Sequence, residues 1–168
     1  MTDWKDDKSW SDGLLTSVKQ ILGLYLIGEA KQDDDQQRNT DLIVLKMEAV
    51  RIACRIRRND YFKGEYKGEF TIRSSRPNGT KTELTKIIEG WGDYFFYGFA
   101  NTDGMTLSGY TLTDLKCFRI FHSRYLALNQ GRCPGRLFKN KDGSSSFTVF
   151  KWVDMPEEMI VAQQGLGL

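Results

Sequence analysis

The chain has 168 residues, of which 40% are hydrophobic, 27% charged and 12% aromatic. This composition is that of an ordinary folded domain and excludes a chain that is disordered throughout. The formal net charge of +2 excludes a histone-like protein that binds nucleic acid by bulk charge, but it allows a local basic surface.

The numbers of cysteines and histidines exclude several kinds of metal site and a disulfide framework. Three cysteines without a CxxC pair indicate neither a disulfide framework nor a zinc site, and they are typical of reduced thiols. The one histidine, His122, excludes an HExxH motif and a two-histidine metal site. The N-terminus is unlike a signal peptide, and no apolar run approaches the roughly 20 residues of a membrane span. We therefore expect a cytoplasmic protein with no membrane partner.

The first half of the chain predicts one helix and three strands. Residues 1–10 are polar and are predicted to be frayed. Apolar residues at helical spacing predict a helix from Ser11 to Ala30, followed by an acidic loop at 31–40. Alternating or continuous apolar runs then predict strands at Asp41–Lys46, Arg51–Arg57 and Glu69–Ser74.

The second half predicts two helices and two strands. Thr80 or Thr82 caps a short helix that ends at Gly90. The elements after it are a buried strand at Asp93–Ala100, a helix at Leu112–Leu128, a loop at 129–146 and a strand at Phe147–Val153. Residues 161–168 are predicted to form a loose tail, which leaves a single α/β domain over residues 11–160.

The predicted order α-β-β-β-α-β, with a central mixed sheet flanked by helices, resembles the core of the PD-(D/E)XK nuclease-like superfamily. Residues 40–45, TDLIVL, resemble its "PD" strand with Thr in place of Pro, and residues 51–57 resemble its "(D/E)xK" strand. Residues 92–101, GDYFFYGFAN, resemble the core strand that follows the second helix. The resemblance covers residues 11–120 or so and implies a restriction-endonuclease-like fold. The amino-acid sequence is also similar to the sequences of small phage-encoded proteins.

The resemblance implies a site for Mg²⁺ or Mn²⁺ on acidic side chains. Asp41 matches the first metal ligand of the family, and Glu29 matches an acidic residue that some relatives carry on the first helix. Asp35 or Asp34 of the acidic loop can replace a missing second ligand. Carboxylate oxygens are the ligands that these hard cations prefer.

Two arginines stand where the family carries its second acid and its lysine. These are Arg55 and Arg57, which together with Asp41 are the catalytic candidates. An arginine cannot ligate Mg²⁺, so the motif departs from the family at its centre. An alternative register places residues 71–73, Thr-Ile-Arg, in the signature, and that register also lacks an acid.

Basic residues form a second set of candidates. Several arginines crowd the strand at 51–57, which is unfavourable unless an anion lies against them. The anion can be a nucleic-acid phosphate, or it can be the acids at 33–35 and Asp41. A second basic zone extends over residues 116–141. The predicted nucleic-acid-binding residues of these regions are Arg51, Arg58, Arg73, Arg76, Arg119 and Arg124.

Three functions fit these patterns. The first is a metal-dependent nuclease, and the second is a non-catalytic module of the same fold that binds nucleic acid or protein. The third is an interaction protein, for example a phage inhibitor of a host enzyme. The missing second acid favours the second function over the first. Nucleic acid is the predicted partner, a protein partner is the alternative, and the oligomeric state stays open, with a dimer among the options.

Overall fold

The computed structural model describes residues 9–10, 12–23, 27–29, 42–44 and 50–168, with the backbone alone at 27–29, 42–44 and 65. The longer helices in these ranges are α1 (Leu15–Gly23), α2 (Glu83–Ile88) and α3 (Leu115–Leu128), and short 3₁₀ helices lie at Asn59–Tyr61, Gly64–Gly68, Trp152–Asp154 and Glu157–Met159. Asp114 caps α3, because its carboxylate accepts hydrogen bonds from the backbone N–H groups of Lys116 and Cys117.

A mixed sheet of four strands lies at the centre of the described structure. Its strands, in spatial order, are β3 (Ile52–Arg57), β5 (Tyr94–Ala100), β6 (Leu107–Asp114) and β9 (Ile160–Gln164). β3 and β5 are parallel, whereas β6 is antiparallel to both of its neighbours. β5 is buried along almost its whole length because both faces of the sheet are covered there.

A second sheet and a small strand pair complete the β-structure of the described residues. The second sheet is antiparallel and consists of β4 (Glu69–Ser75), β8 (Ser146–Lys151) and β7 (Arg136–Lys139), in that order. The strand pair consists of β1 (Ile27–Glu29) and β2 (Leu42–Val44), which are antiparallel.

The main core lies between the two larger sheets and is built from aromatic side chains. Phe70 stacks on Trp152 and Phe150, with ring centroids 4.1 Å and 5.1 Å apart, and meets Tyr97 edge-on. Phe118 of α3 closes the core from one side. A smaller cluster on the opposite face of the mixed sheet packs beneath α1 and contains Val18, Phe96, Tyr110 and Leu112. Each fully buried side chain of this kind contributes about 1.5–3 kcal/mol.

The predicted α/β class with a mixed sheet is confirmed, but two helix boundaries are wrong. The first helix ends at Gly23 rather than Ala30, and the backbone of residues 27–29 is a strand. Gly23 is a poor helix former, which apolar spacing alone does not take into account. The helix predicted to start at Leu112 starts at Leu115, because residues 107–114 pair with β5 along their whole length.

Besides β1 and β6, two further strands were not predicted. The predicted loop at 129–146 contains β7, whose side chains are all exposed and therefore show no apolar alternation. The predicted loose tail at 161–168 overlaps β9, which pairs with β6, and Leu166 beyond it is buried. The prediction of a loose tail is therefore wrong for this segment. The strand predicted at Phe147–Val153 is confirmed as far as Lys151.

The strands that carry the family resemblance are distributed over separate sheets. β3 belongs to the mixed sheet, β4 belongs to the antiparallel sheet, and the described part of β2 pairs with β1. Residue alternation identifies which face of a strand is buried, but it does not identify the neighbouring strand. The predicted strands therefore exist, while their shared central sheet is not found among the described residues.

Candidate functional site

A cleft of about 540 Å³ opens between β3, the end of β4, the segment leading into α2, and α2 itself. We call it the cationic cleft. It is lined by one carboxylate, that of Glu83, and by six cationic side chains, namely Arg51, Arg55, Arg73, Arg76, Lys81 and Lys86. This concentration of side chains of one charge in a concavity makes the cleft the candidate functional site.

The alternation of β3 places its side chains in the cleft. Ala53 and Arg55 are two residues apart, so they point to the same face of the strand, and both line the cleft. Arg51, just before β3, is fixed through its backbone: its N–H donates to the Asp93 carboxylate at 2.8 Å, and its carbonyl accepts from the N–H groups of Asp93 and Tyr94. The exposed Arg51 side chain therefore extends from a well-anchored backbone.

Glu83 joins three elements at the floor of the cleft. It lies in the first turn of α2, and its Oε2 accepts a hydrogen bond from the Arg55 guanidinium at 2.5 Å. The same oxygen accepts from the backbone N–H of Arg73 on β4 at 3.2 Å. One carboxylate thus holds β3, β4 and α2 together and neutralises only one of the cations around it.

The remaining cations of the cleft repel one another. Burial, and then the positive charges of Arg55 and Arg76, lower the pKa of Arg73, and Glu83 opposes this only in part. Lys81 pairs with Glu89 at 2.7 Å on the exposed side of α2. Among the residues that the structure describes, no carboxylate lies within ion-pair distance of Arg51, Arg73, Arg76 or Lys86. An anion in the cleft would relieve this repulsion.

Arg57 shares the face of β3 that carries Arg55, but it lies beyond the cleft. Its guanidinium lies 3.9 Å from the centroid of the Tyr61 ring and donates to the Thr71 hydroxyl at 3.5 Å. That hydroxyl also lies 3.4 Å from the Tyr97 hydroxyl. Burial raises the pKa of Tyr97, and the positive charge of Arg57 opposes the shift. The surroundings of Arg57 are thus those of a side chain packed between the two sheets.

The other predicted binding residues are dispersed. Arg119 donates to the carbonyls of Gly92 and Ile87, at 3.1 Å and 3.5 Å, so it braces the wall of the cleft from behind. Arg58 is exposed and lies 5.0 Å from the Trp10 ring, outside the cleft lining. Arg124 is exposed on α3, also outside the lining. Of the predicted nucleic-acid-binding residues, the structure therefore brings together Arg51, Arg73 and Arg76, joined by the predicted catalytic Arg55.

Trp91 at the rim of the cleft was not predicted as a site residue. Its side chain is 62% exposed. Its backbone N–H donates to the carbonyl of Lys86, and the backbone N–H of Gly90 donates to the carbonyl of Ile87. Gly90 has φ +98°, so the two hydrogen bonds form a Schellman motif that ends α2. The sequence signal was the Gly-Trp-Gly segment after a predicted helix, since a large aromatic residue between two glycines belongs to a turn rather than to a core.

The lining of the cationic cleft does not fit a site for Mg²⁺ or Mn²⁺. No group of three metal-ligating side chains occurs in the described ranges, and the one carboxylate of the cleft is already paired with Arg55. Mg²⁺ requires oxygen ligands, which six cationic side chains do not supply. Of the predicted metal ligands, Asp41 and Asp35 lie outside the described residues, and Glu29 is described by its backbone in β1 alone.

Comparison with known proteins adds no relative from which a function could be transferred. The chain matches no family model, no curated protein and no solved structure with which it was compared. In the described part of the chain, no helix has both the length and the apolar character to cross a membrane. The cationic cleft is therefore the feature from which a function can be inferred.

Proposed function

We propose that the protein binds nucleic acid by taking backbone phosphates into the cationic cleft. The observation that carries this proposal is the convergence of six cationic side chains, from four consecutive segments of the chain, on a concavity with one carboxylate. A folded chain tolerates such crowding of like charge at a cost, and that cost is offset when an anion binds.

Phosphate is the anion that the side chains suit best. Four of the six cations are arginines, whose planar guanidinium groups bind phosphate oxygens through two parallel hydrogen bonds. A polyanion also gains from the release of its counterions when several cations contact it, which an isolated carboxylate does not.

Metal-dependent cleavage stays a separate hypothesis that rests on the resemblance to PD-(D/E)XK nucleases and their restriction-endonuclease-like fold. The side chains that line the cleft favour the non-catalytic function. The hypothesis is tested by Mg²⁺- or Mn²⁺-dependent cleavage of plasmid and single-stranded DNA, with Asp41→Ala as the control. Cleavage that is lost in this variant would place a metal on Asp41.

The proposed binding is tested by fluorescence anisotropy with labelled oligonucleotides. Affinity should fall steeply between about 50 and 200 mM salt, because each phosphate contact that forms releases counterions, and this release is less favourable at higher salt. Arg76→Ala should lower the slope of log affinity against log salt by about one. Lys139→Ala, an exposed cation on β7 outside the cleft, is the matched control and should leave the slope unchanged. Absent binding, or binding that does not depend on salt, would refute the proposal.

A further inference from the structure

The rim of the cationic cleft presents a large aromatic ring that is mostly exposed. Trp91 is 62% exposed, although its backbone is held by the Schellman motif at the end of α2. Gly92, the next residue, has φ +80°, and a Cβ added there would lie 3.0 Å from the Leu115 side chain. The turn is thus built closely against the body of the protein while its one large side chain is turned outward.

The support behind this turn makes the position of Trp91 well defined. Arg119 donates to the Gly92 carbonyl at 3.1 Å and to the Ile87 carbonyl at 3.5 Å, so it fixes both ends of the turn from α3. Asp93, the residue after Gly92, is hydrogen-bonded to the backbone of Arg51, which lies just before β3. An exposed ring on a rigid turn loses little conformational freedom when a flat ligand stacks on it.

The neighbours of Trp91 indicate which flat ligand fits. The ring and the cationic side chains line the same cleft, so an occupant can present an aromatic surface and several negative charges at once. Alternation of aromatic bases and phosphates is the chemistry of a nucleic-acid strand. Stacking of a base on an aromatic side chain changes affinity by roughly 5- to 150-fold and is tolerant of sequence.

Resting on the proposed function, we propose that the cationic cleft binds single-stranded nucleic acid, with one base stacked on Trp91 and the adjoining phosphates on Arg51, Arg73 and Arg76. In a duplex the faces of internal bases are covered by their neighbours, so Trp91 has no base face to contact. In a single strand the base faces are accessible. The ring thereby discriminates between the two forms, whereas the arginines alone do not.

The test compares three probes of equal length, about 12 nucleotides, a length within the usual range of single-strand binding sites. The probes are an oligothymidylate, an abasic oligomer with the same phosphates, and a blunt duplex. The variants are Trp91→Leu, which removes the stacking surface, and Trp91→Phe, which retains an aromatic ring. Phe138→Leu is the matched control, because Phe138 is an exposed aromatic residue on β7 outside the cleft.

The wild type should bind the oligothymidylate roughly 5- to 150-fold more tightly than the abasic oligomer. Trp91→Leu should lose this preference while keeping its affinity for the abasic oligomer, Trp91→Phe should retain most of it, and Phe138→Leu should retain all of it. Oligothymidylate should also quench tryptophan emission in the wild type more than in Trp91→Phe. Because the Trp91 side chain is exposed, thermal unfolding of the variants should match that of the wild type.

The outcomes separate this inference from the proposed function. If the duplex and the abasic oligomer bind as tightly as the oligothymidylate, with the expected salt dependence, the stacking role is refuted and phosphate binding stands. An unchanged preference in Trp91→Leu likewise refutes the role of this ring. If none of the three probes binds, both the inference and the proposed function fail.

Discussion

The two basic regions of the chain have similar charge but opposite organisation. In the cationic cleft, side chains from four consecutive segments converge, and most of them have no carboxylate partner among the described residues. In the second basic zone, Arg119 is engaged by backbone carbonyls and Arg136 pairs with Glu69 at 2.7 Å, while the others are spread over α3, a loop and β7. The number of charges along a stretch of sequence is therefore a poor guide to a binding surface. A better guide is a group of cationic side chains that meet in space without carboxylate partners.

Charge reversal in the two regions should give the largest contrast. Arg76 is exposed in the cleft, and Arg76→Glu removes a phosphate contact and adds a repulsive charge, so we expect roughly 30- to 150-fold weaker binding of a single-stranded oligonucleotide. Arg124→Glu, on the exposed surface of α3, should weaken binding less than about threefold because its charge is screened by salt. Anisotropy at one salt concentration measures both. Equal losses would show that the second basic zone is part of the binding surface.

Two arginines of the second basic zone should differ in their contribution to stability. Arg119→Ala removes the donor to the Gly92 carbonyl, whereas the Ile87 carbonyl keeps its hydrogen bond from the Gly90 N–H, so we expect the free energy of unfolding to fall by about 1–2 kcal/mol. Arg124→Ala removes an exposed side chain and should change it by less than about 0.5 kcal/mol. Urea denaturation of both variants checks this. A stable Arg119→Ala variant that binds nucleic acid poorly would mean that Arg119 contacts the ligand instead of bracing the wall.

The single carboxylate of the cleft provides a further test of the comparison. Glu83→Gln keeps the shape of the side chain and removes its charge, so we expect binding to tighten by roughly three- to tenfold. The same change should cost about 1 kcal/mol of stability, because Arg55 loses its ionic partner. Glu157→Gln removes an equal charge from an exposed turn and should do neither. Weaker binding in Glu83→Gln would indicate that its main role is to position Arg55.

The sequence predicted the side chains of the cleft better than it predicted their surroundings. Alternation along β3 placed Arg55 and Arg57 on one face, as the structure has them, but only Arg55 lines the cleft. The reason is that strand alternation gives direction and not neighbours. Glu83 and Trp91 were missed because their roles depend on α2 and its terminal turn packing beside β3, a contact between residues about thirty positions apart.

The fold shows the same division between local and long-range information. The buried strand β5 follows from its local residue types, and it was predicted. β7 and β9 were missed because nearly all their side chains are exposed or half-buried, so their backbone pairing leaves no hydrophobic pattern. β3 and β4 lie in separate sheets because β3 pairs with β5 and β4 pairs with β8. Such pairings between distant strands cannot be predicted from a short motif.

The smallest predicted effect concerns pH and again separates α3 from the cleft. His122 of α3 is buried, its Nε2 lies 3.7 Å from the Cys133 sulfur, and its Nδ1 has no hydrogen-bond partner among the described residues. Burial lowers the pKa of His122 from its ordinary value of 6.5, because the folded protein accommodates the charged imidazolium less well than water does. Below pH 6.5 the unfolded chain therefore binds more protons than the folded one. Stability should be constant above about pH 7 and should decrease as the pH falls below 6.5, by at most about 1.4 kcal/mol per pH unit.

Urea denaturation at pH 7.5, 6.5 and 5.5 measures this dependence, and a His122→Gln variant should lack it because the side chain no longer titrates in that range. The lining of the cleft contains no histidine, so the affinity for nucleic acid should change little over the same interval. If binding weakened with the stability, titration of His122 would be transmitted to the cleft, and the phenyl ring of Phe118, which lies against His122 in the core, would be the first contact to examine. If the pH dependence of stability persisted in His122→Gln, another group would be its source, and the burial of the imidazole would have no consequence for folding.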